Sequence, residues 1–369
     1  MKIASGGAAL LFFTGSHVLA QVPAVRAVPD EPNCPRCTIS MQPLVTLGTD
    51  DGVGSLIGKP MSVNIDSRGR YWVFQELEPP TVFHANGSVD RVIGRKGSGP
   101  GEFRSGNTGI VIGDSMLVLD WMELRATMMT PDLEAGRIIR LRYGVGDIKL
   151  LRWPSALITT GHMADSRPAN SMLHRVSMEG GETNVVSSFG PQAVGGNMGA
   201  GEVFQHLGSA KDGVWSTYWN RPEFTKWNAD GSANRVLSRR FDWYTGEAKA
   251  SIGTSRTPPT PQTGPLIEDD AGLLWVFIYR PATTWKEGWP AQGVKMGRGV
   301  EYRMIDMAYD KLFTTYVEVI DPINARVIAA HHINGYVFEA LPGRRVALYR
   351  VDRDGIPRVD IAALSLAGR

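Results

Sequence analysis

Residues Gly94–Phe103 read GRKGSGPGEF, four glycines and a proline in ten positions, with two cations at one end and a carboxylate at the other. Two kinds of structure need such a run. A phosphate loop uses glycines to wrap backbone N–H groups around an anion, with a helix N-terminus behind them. A tight connection between strands uses them for turns that other residues resist. The flanks decide between the two. VDRVIG (Val89–Gly94) runs into the glycines and GIVIG (Gly109–Gly113) follows them, both with the β-branched character of strands. No helix stands behind the loop, and Lys96 comes before the second glycine, so the order G-x-x-x-x-G-K-[ST] is absent. The phosphate reading loses its mechanism, and the stretch reads as a linker between two β units.

The units on either side repeat. SVNIDSRGRYWVFQ from Ser62, LGSAKDGVWSTYW from Leu207 and PLIEDDAGLLWVFIY from Pro265 are each a strand, an acidic-glycine turn and a Trp-bearing strand. A second element follows: TVFHANGSVDRVIG from Thr81, LHRVSMEGGETNVVSSFG from Leu173, FTKWNADGSANRVLS from Phe224 and LYRVDRDGIPRVDIAAL from Leu348, each a strand, a glycine turn and a strand. Degenerate copies fill the gaps (IVIGDSMLVLDW from Ile110, ATMMTPDLEAGRIIRL from Ala126, ALITTGHM from Ala156), and a sixth unit begins near His332 and ends in RVDIAALSLAG. Joined, the two elements make a four-stranded antiparallel meander, the size of a propeller blade. The expectation is an all-β, six-bladed β-propeller. The strand QPLVTLG (Gln42–Gly48) is left over and is placed to pair with the last blade and close the ring, which removes two open edges.

The segment GRKGSGPGEFRSGNTGIVIGDSMLVLDWMELRATMMTPD (Gly94–Asp132) resembles the linker and following blade of NHL-type six-bladed β-propellers, whose blades are joined by G-x-G-P-G-E/Q-F. The likeness extends more weakly over Leu44 to Leu366 and is similar to that of secreted bacterial six-bladed propellers with an N-terminal Cys pair. One of the six linkers keeps the full glycine motif. The resemblance implies a binding platform and names no ligand.

The organisation expected is a signal peptide over 1–20, an N-terminal segment with the Cys pair over 21–41, and one propeller domain over 42–369. Lys2, the apolar centre ALLFF and the small residues ending at Ala20 have the layout of a secretory signal, and Gln21 in place of Cys argues against a lipid anchor. Secretion or a periplasmic location follows. No later apolar run is long enough for a membrane span, and a formal charge of +2 over 369 residues is no nucleic-acid footprint. In an oxidising compartment Cys34 and Cys37, the only cysteines, are expected to bond to each other. A zinc site, a covalent haem or a redox dithiol would each need residues that do not follow them.

Propeller geometry sorts the loops. Connections between blades and those from second to third strand share one face, here called upper; the acidic-glycine turns share the lower. The upper set contains Arg104, Asn107, Asp120, Trp121, Trp219, Asn220, Arg221 and Arg280, and the insertion Arg280–Lys311 adds Trp285, Lys286, Trp289 and Arg298. Loops of that length are functional or disordered, and two tryptophans argue against disorder; the insertion is then either a lid over a ligand or a segment that plugs the channel or packs on a neighbouring blade. Arg104, Trp121, Arg221, Arg280, Trp285 and Trp289 are therefore the expected ligand-binding residues. Their aromatic faces and guanidinium forks suit a small organic or anionic ligand, or a protein or peptide partner. The plainer reading has these side chains pairing with Asp120, Glu123 and other carboxylates to seal the ring. Trp72, Trp215 and Trp275 recur after equivalent turns and read as blade packing; IEDDAG (Ile267–Gly272) reads as turn chemistry. No catalysis is expected, since no nucleophile elbow or paired-histidine motif occurs. The alternative is a lactonase-like hydrolase or lyase with a divalent cation in the channel, for which His162 and His206 are the first ligand candidates.

Overall fold

The computed structural model describes residues 23–29, 32–49, 54–160, 173–189, 205–219, 221–241, 243–244, 257–289, 294–296, 299–301 and 307–369. Six four-stranded antiparallel blades carry the chain. Blade 1 runs through Pro60–Ile65, Tyr71–Gln75, Thr81–Phe83 and Val89–Val92, and blade 2 through Gly106–Ile112, Ser115–Asp120, Arg125–Met129 and Ala135–Arg140. Blade 3 uses Val145–Arg152, Ser155–Thr160, Leu173–Ser177 and Asn184–Phe189; blade 4 uses Gln205–Ala210, Gly213–Tyr218, Arg221–Trp227 and Ala233–Arg239. Blade 5 is Gln262–Glu268, Leu274–Pro281, Phe313–Asp321 and Arg326–Ile333. In blade 6 the chain supplies Tyr336–Leu341, Arg345–Val351 and Pro357–Ala367, and the outermost strand is Thr38–Leu47 from the other end of the sequence. The inner strands touch in ring order, the last against the first.

The closing strand has a consequence for phase. Blade 6 begins at Tyr336, since His332 still belongs to the outer strand of blade 5, and the Asp352–Gly355 turn joins its second and third strands. That turn therefore lies on the upper face, whereas the repeat alone places it with the lower turns. A second strand escapes the repeat altogether: Val25–Val28 pairs in parallel with Ala233–Arg239 as a fifth strand on blade 4. Between the two N-terminal strands, Asn33 donates its N–H to the Val327 carbonyl of blade 5, and the Cys34–Cys37 disulfide packs beside the apolar layer between blades 5 and 6.

Each junction between blades holds its own apolar cluster, because strand side chains alternate between the two faces of a blade and each face meets a neighbour. Trp72, Phe74 and Phe103 fill the junction of blades 1 and 2, Trp215 and Phe224 that of blades 4 and 5, and Trp275 and Phe277 that of blades 5 and 6. The three repeated tryptophans are fully buried, as packing requires, and each indole N–H is satisfied by a carboxylate: Trp72 by Asp66 (3.0 Å), Trp275 by Asp269 (3.0 Å) and Trp215 by Glu268 (2.7 Å). Asp269 also accepts the N–H groups of Ala271 and Leu273, so IEDDAG is a turn built around one carboxylate.

The glycine linker encloses an anion of its own. Glu102 turns back to accept the Gly99 N–H at 2.8 Å and the Arg95 guanidinium at 2.5 Å, and Phe103 is driven into the core. Gly94 sits at φ 70°, and a Cβ there would lie 2.0 Å from the Gly101 carbonyl oxygen. These glycines let two passes of backbone touch.

Candidate functional site

Second strands run upward from the lower turns, so Asp120, Tyr218 and Arg280 mark the upper face, and all six residues expected at a ligand site lie at or just beyond those ends or in the linker before blade 2. They form separate groups. On blade 2, Asp120 accepts the N–H groups of Arg104 (2.7 Å), Met122 and Glu123, which fixes the loop; Trp121 donates to Ser105 Oγ, and the Arg104 guanidinium meets Glu123 at 3.3 Å. Here the plainer reading, a cation paired with Glu123, describes Arg104. On blade 4, the Arg221 guanidinium lies 4.1 Å over the Tyr218 ring. On blade 5, Arg280 lies 4.5 Å over Trp243. In the insertion, Trp285 opens a short helical turn (Trp285–Gly288) with Lys286 near its ring.

Strand alternation divides the top of blade 5. Tyr279 faces blade 6, where its ring packs at a tilt on Tyr336, centroids 4.7 Å apart, and its hydroxyl donates to the Val337 carbonyl; Trp289, Tyr309, Leu312 and Phe313 join the same apolar cluster. Arg280, the next residue, faces blade 4. On that side the register sets Arg280 opposite Thr314 and Tyr316 opposite His332, and His332 Nε2 lies 2.8 Å from Thr314 Oγ1. Beneath them Arg239 makes a bidentate, buried ion pair with Glu318 at 2.8 and 2.9 Å and stacks on Phe241. Phe241, Trp243 and Tyr316 hold one another by edge and tilted contacts of 4.6 to 6.0 Å. The Arg280 guanidinium has no carboxylate and no hydrogen-bond acceptor among the described residues. Burial, then Arg280 and His331, hold the His332 imidazole below its ordinary pKa.

The channel carries a different cluster. Blades 3 and 6 are opposite in a ring of six, yet Lys149 on the inner strand of one reaches within 3.9 Å of Glu339 on the inner strand of the other. The pair meets across the axis. Burial pushes Glu339 up to about 7 against the pull of Lys149, while Lys149 stays charged because Asp147 as well as Glu339 outweigh its own burial. His206 stands beside Asp147 and Lys149, and burial moves its pKa down. Asp147 is itself occupied, accepting the Leu207 N–H at 2.8 Å. His162, Asn220 and Arg298 lie outside the described residues. Among the described residues no three His, Cys, Asp or Glu side chains are grouped to hold a metal ion.

A cavity of about 500 Å³ opens on the lower face between blades 4, 5 and 6, beside Lys211, Glu268, Asp270 and Arg344. Glu268 is committed to Trp215 and Lys226 there, so the most buried charge of the lining serves the fold.

Sequence reasoning missed Trp243, Tyr316, His332, Lys149 and Glu339. The last two belong to inner strands at positions where the repeat gives no hint that opposite blades meet. Trp243 belongs to no repeat copy, and an aromatic between two blades was the one signal that could have singled it out.

No protein-family model matches the chain, and no curated protein matches it. Solved structures are similar in fold. A member of the DUF4221 family from Bacteroides vulgatus superposes with a TM-score of 0.59 at 10% identity, over 90% of this chain and 99% of that one. A Bacteroides fragilis protein named provisionally as exported gives 0.57 at 11% identity, over 92% and 99%. A protein of unknown function from Bacteroides thetaiotaomicron gives 0.52 at 10%, over 89% and 76%. At such identities the likeness is one of fold: the chain is a six-bladed β-propeller.

Proposed function

We propose that this chain is an exported, NHL-type six-bladed propeller that binds a small organic anion on its upper face, at the top of the junction between blades 4 and 5, and acts as a binding module without catalysis. The NHL assignment rests on the glycine linker. Export rests on the layout of the first twenty residues and is supported by the disulfide and by the exported name of one neighbour in fold. The observation that carries the site is Arg280: a guanidinium stacked on an indole at a rim, with no acceptor among the described residues. A buried or half-buried cation without a counter-ion costs free energy, and an anion supplied from outside recovers it. The indole offers a flat apolar face for the organic part.

Isothermal titration calorimetry with naphthalene-2-sulfonate tests this. Arg280→Ala is expected to weaken binding by about 2 kcal/mol or more, the usual size of a hot-spot loss. Arg104→Ala, whose cation is already paired with Glu123, is expected to leave it unchanged. Equal affinity of wild type and Arg280→Ala would overturn the reading. The alternative of a channel cation has no grouped ligand set among the described residues to argue from, and His206 beside Lys149 is a poor place for a second cation.

A further inference from the structure

Resting on that reading, we infer that Arg280, Thr314 and His332 form one seat for a tetrahedral oxyanion of the sulfonate, sulfate or phosphate type, and that His332 makes its hold stronger as pH falls. The three side chains come from three adjacent strands of blade 5 and project from the same face: Arg280 and Thr314 are direct cross-strand partners, and His332 reaches back to Thr314 from the outer strand. His332 is exposed, and Arg280, Thr314 and Trp243 are partly so, which leaves the seat open to a ligand.

Charge supports an anion. Arg280, His331 and His332 are gathered at one rim, and Glu318 on the same blade is buried and engaged by both arms of Arg239. Tyr316 faces His332 across the strand pair and sits against Glu318; Trp243, Phe241 and Arg239 come from the blade 4 side. Burial, then Arg280 and His331, disfavour charge on His332, and a bound anion offsets that penalty while it pairs with Arg280.

Shape supports a tetrahedral one. A guanidinium fork takes two oxygens of a planar carboxylate, and none is left over. A tetrahedral oxyanion keeps a further oxygen for the Thr314 and His332 side. Protonation then acts through geometry as well as charge. Imidazolium has only donors, so Nε2 must donate to Thr314 Oγ1 and the threonine hydroxyl turns its own proton outward, toward the anion.

The test uses the full chain with naphthalene-2-sulfonate, which stays ionised throughout, and 2-naphthoate, at constant ionic strength at pH 8 and pH 5. Sulfonate affinity is expected to rise about fivefold at pH 5, the effect of one added charge close to the anion at a partly exposed site. His332→Gln should flatten that rise, His331→Gln should keep both the rise and the pH 8 affinity, and naphthoate should bind more weakly with a smaller rise. If Arg280→Ala weakens binding but the wild type shows no rise, or if His332→Gln keeps it, the seat is refuted and the anion site stands. Naphthoate matching sulfonate in affinity and slope would refute the oxyanion class. If Arg280→Ala changes nothing at either pH, both fall. Retained far-ultraviolet circular dichroism shows that each variant folds.

Discussion

Asp66 shows how one side chain organises a blade. Its carboxylate accepts the N–H groups of Arg68 (3.0 Å) and Arg70 (2.9 Å), the Arg70 guanidinium (2.7 Å) and the Trp72 indole (3.0 Å). Burial alone would raise its pKa, but these donors together hold it below the ordinary value. Asp66→Ala should destabilise the protein by about 2–4 kcal/mol, because it leaves the buried Trp72 N–H without its acceptor, frees the turn N–H groups and takes from Arg70 the nearer of its two carboxylates, leaving Asp90 at 3.4 Å. A depressed carboxyl contributes stability above its unfolded value and loses it as pH falls through the folded one. Asp66→Asn should therefore be less sensitive to acid than the wild type in urea unfolding near pH 3; identical acid sensitivity would show that the carboxylate is not held this way. This turn was legible because an acidic residue, a glycine and a tryptophan recur in fixed order at Ser62, Leu207 and Pro265. The Arg280 site was legible only in part. Arg280 stood out as a strand-end arginine, but Trp243 and His332 belong to no motif, and their meeting depends on how two blades pack.

At the scale of the strand, alternation decides which neighbours a residue serves. Tyr279 and Arg280 are consecutive, yet one closes the apolar layer against blade 6 and the other the rim beside blade 4. A reading that gathers Arg280 with Trp289 into one cluster overlooks this period of two. The inner strands add the channel pair. Glu339 has a folded pKa of about 7, above the ordinary 4.5, so the native state keeps a proton that the unfolded chain gives up. The stability it confers is full below about 4.5 and is lost as pH rises to about 7. His206 acts in the opposite sense: its folded pKa is lowered, so its contribution grows as pH rises toward its ordinary value. In urea unfolding at pH 5 and pH 8, Glu339→Gln should therefore remove a fall in stability present in the wild type, of at most about 3 kcal/mol from the size of the shift. An equal fall in both proteins would mean that Glu339 ionises freely and that the pair across the axis is not as buried as it stands here. Val25–Val28 was illegible for a plain reason. VRAV is short and mostly exposed, with Val28 its one buried side chain, so no apolar alternation marks it as a strand.

For the whole molecule the question is what keeps the ring shut. The outermost strand of blade 6 comes from the N-terminus, pairing from Thr38 opposite Ala367 to Leu47 opposite Val359, and it buries Ile39 and Leu47. Backbone hydrogen bonds and two buried apolar side chains therefore join the ends of the chain, and the disulfide just before the strand is a smaller tie. A bridge closing so short a loop stabilises by about 2 kcal/mol in the chain-entropy account. Cys34→Ser with Cys37→Ser should lower the urea midpoint modestly and leave one cooperative transition. Deleting residues through Leu47 should do far more, since it exposes the edge of Pro357–Ala367 and uncovers the apolar layers on both sides of blade 6. The two ends also lie close: a Cβ on Gly368 would stand 2.1 Å from the Arg36 carbonyl oxygen. Residues 38–48 moved to follow Arg369 through a short turn would reach the same edge as an ordinary hairpin. That rearranged chain, lacking the original N-terminal segment, should regain a single cooperative transition by tryptophan fluorescence. If it stays open while the double serine variant is also badly destabilised, the disulfide and the segment before it, rather than the strand, hold the propeller closed.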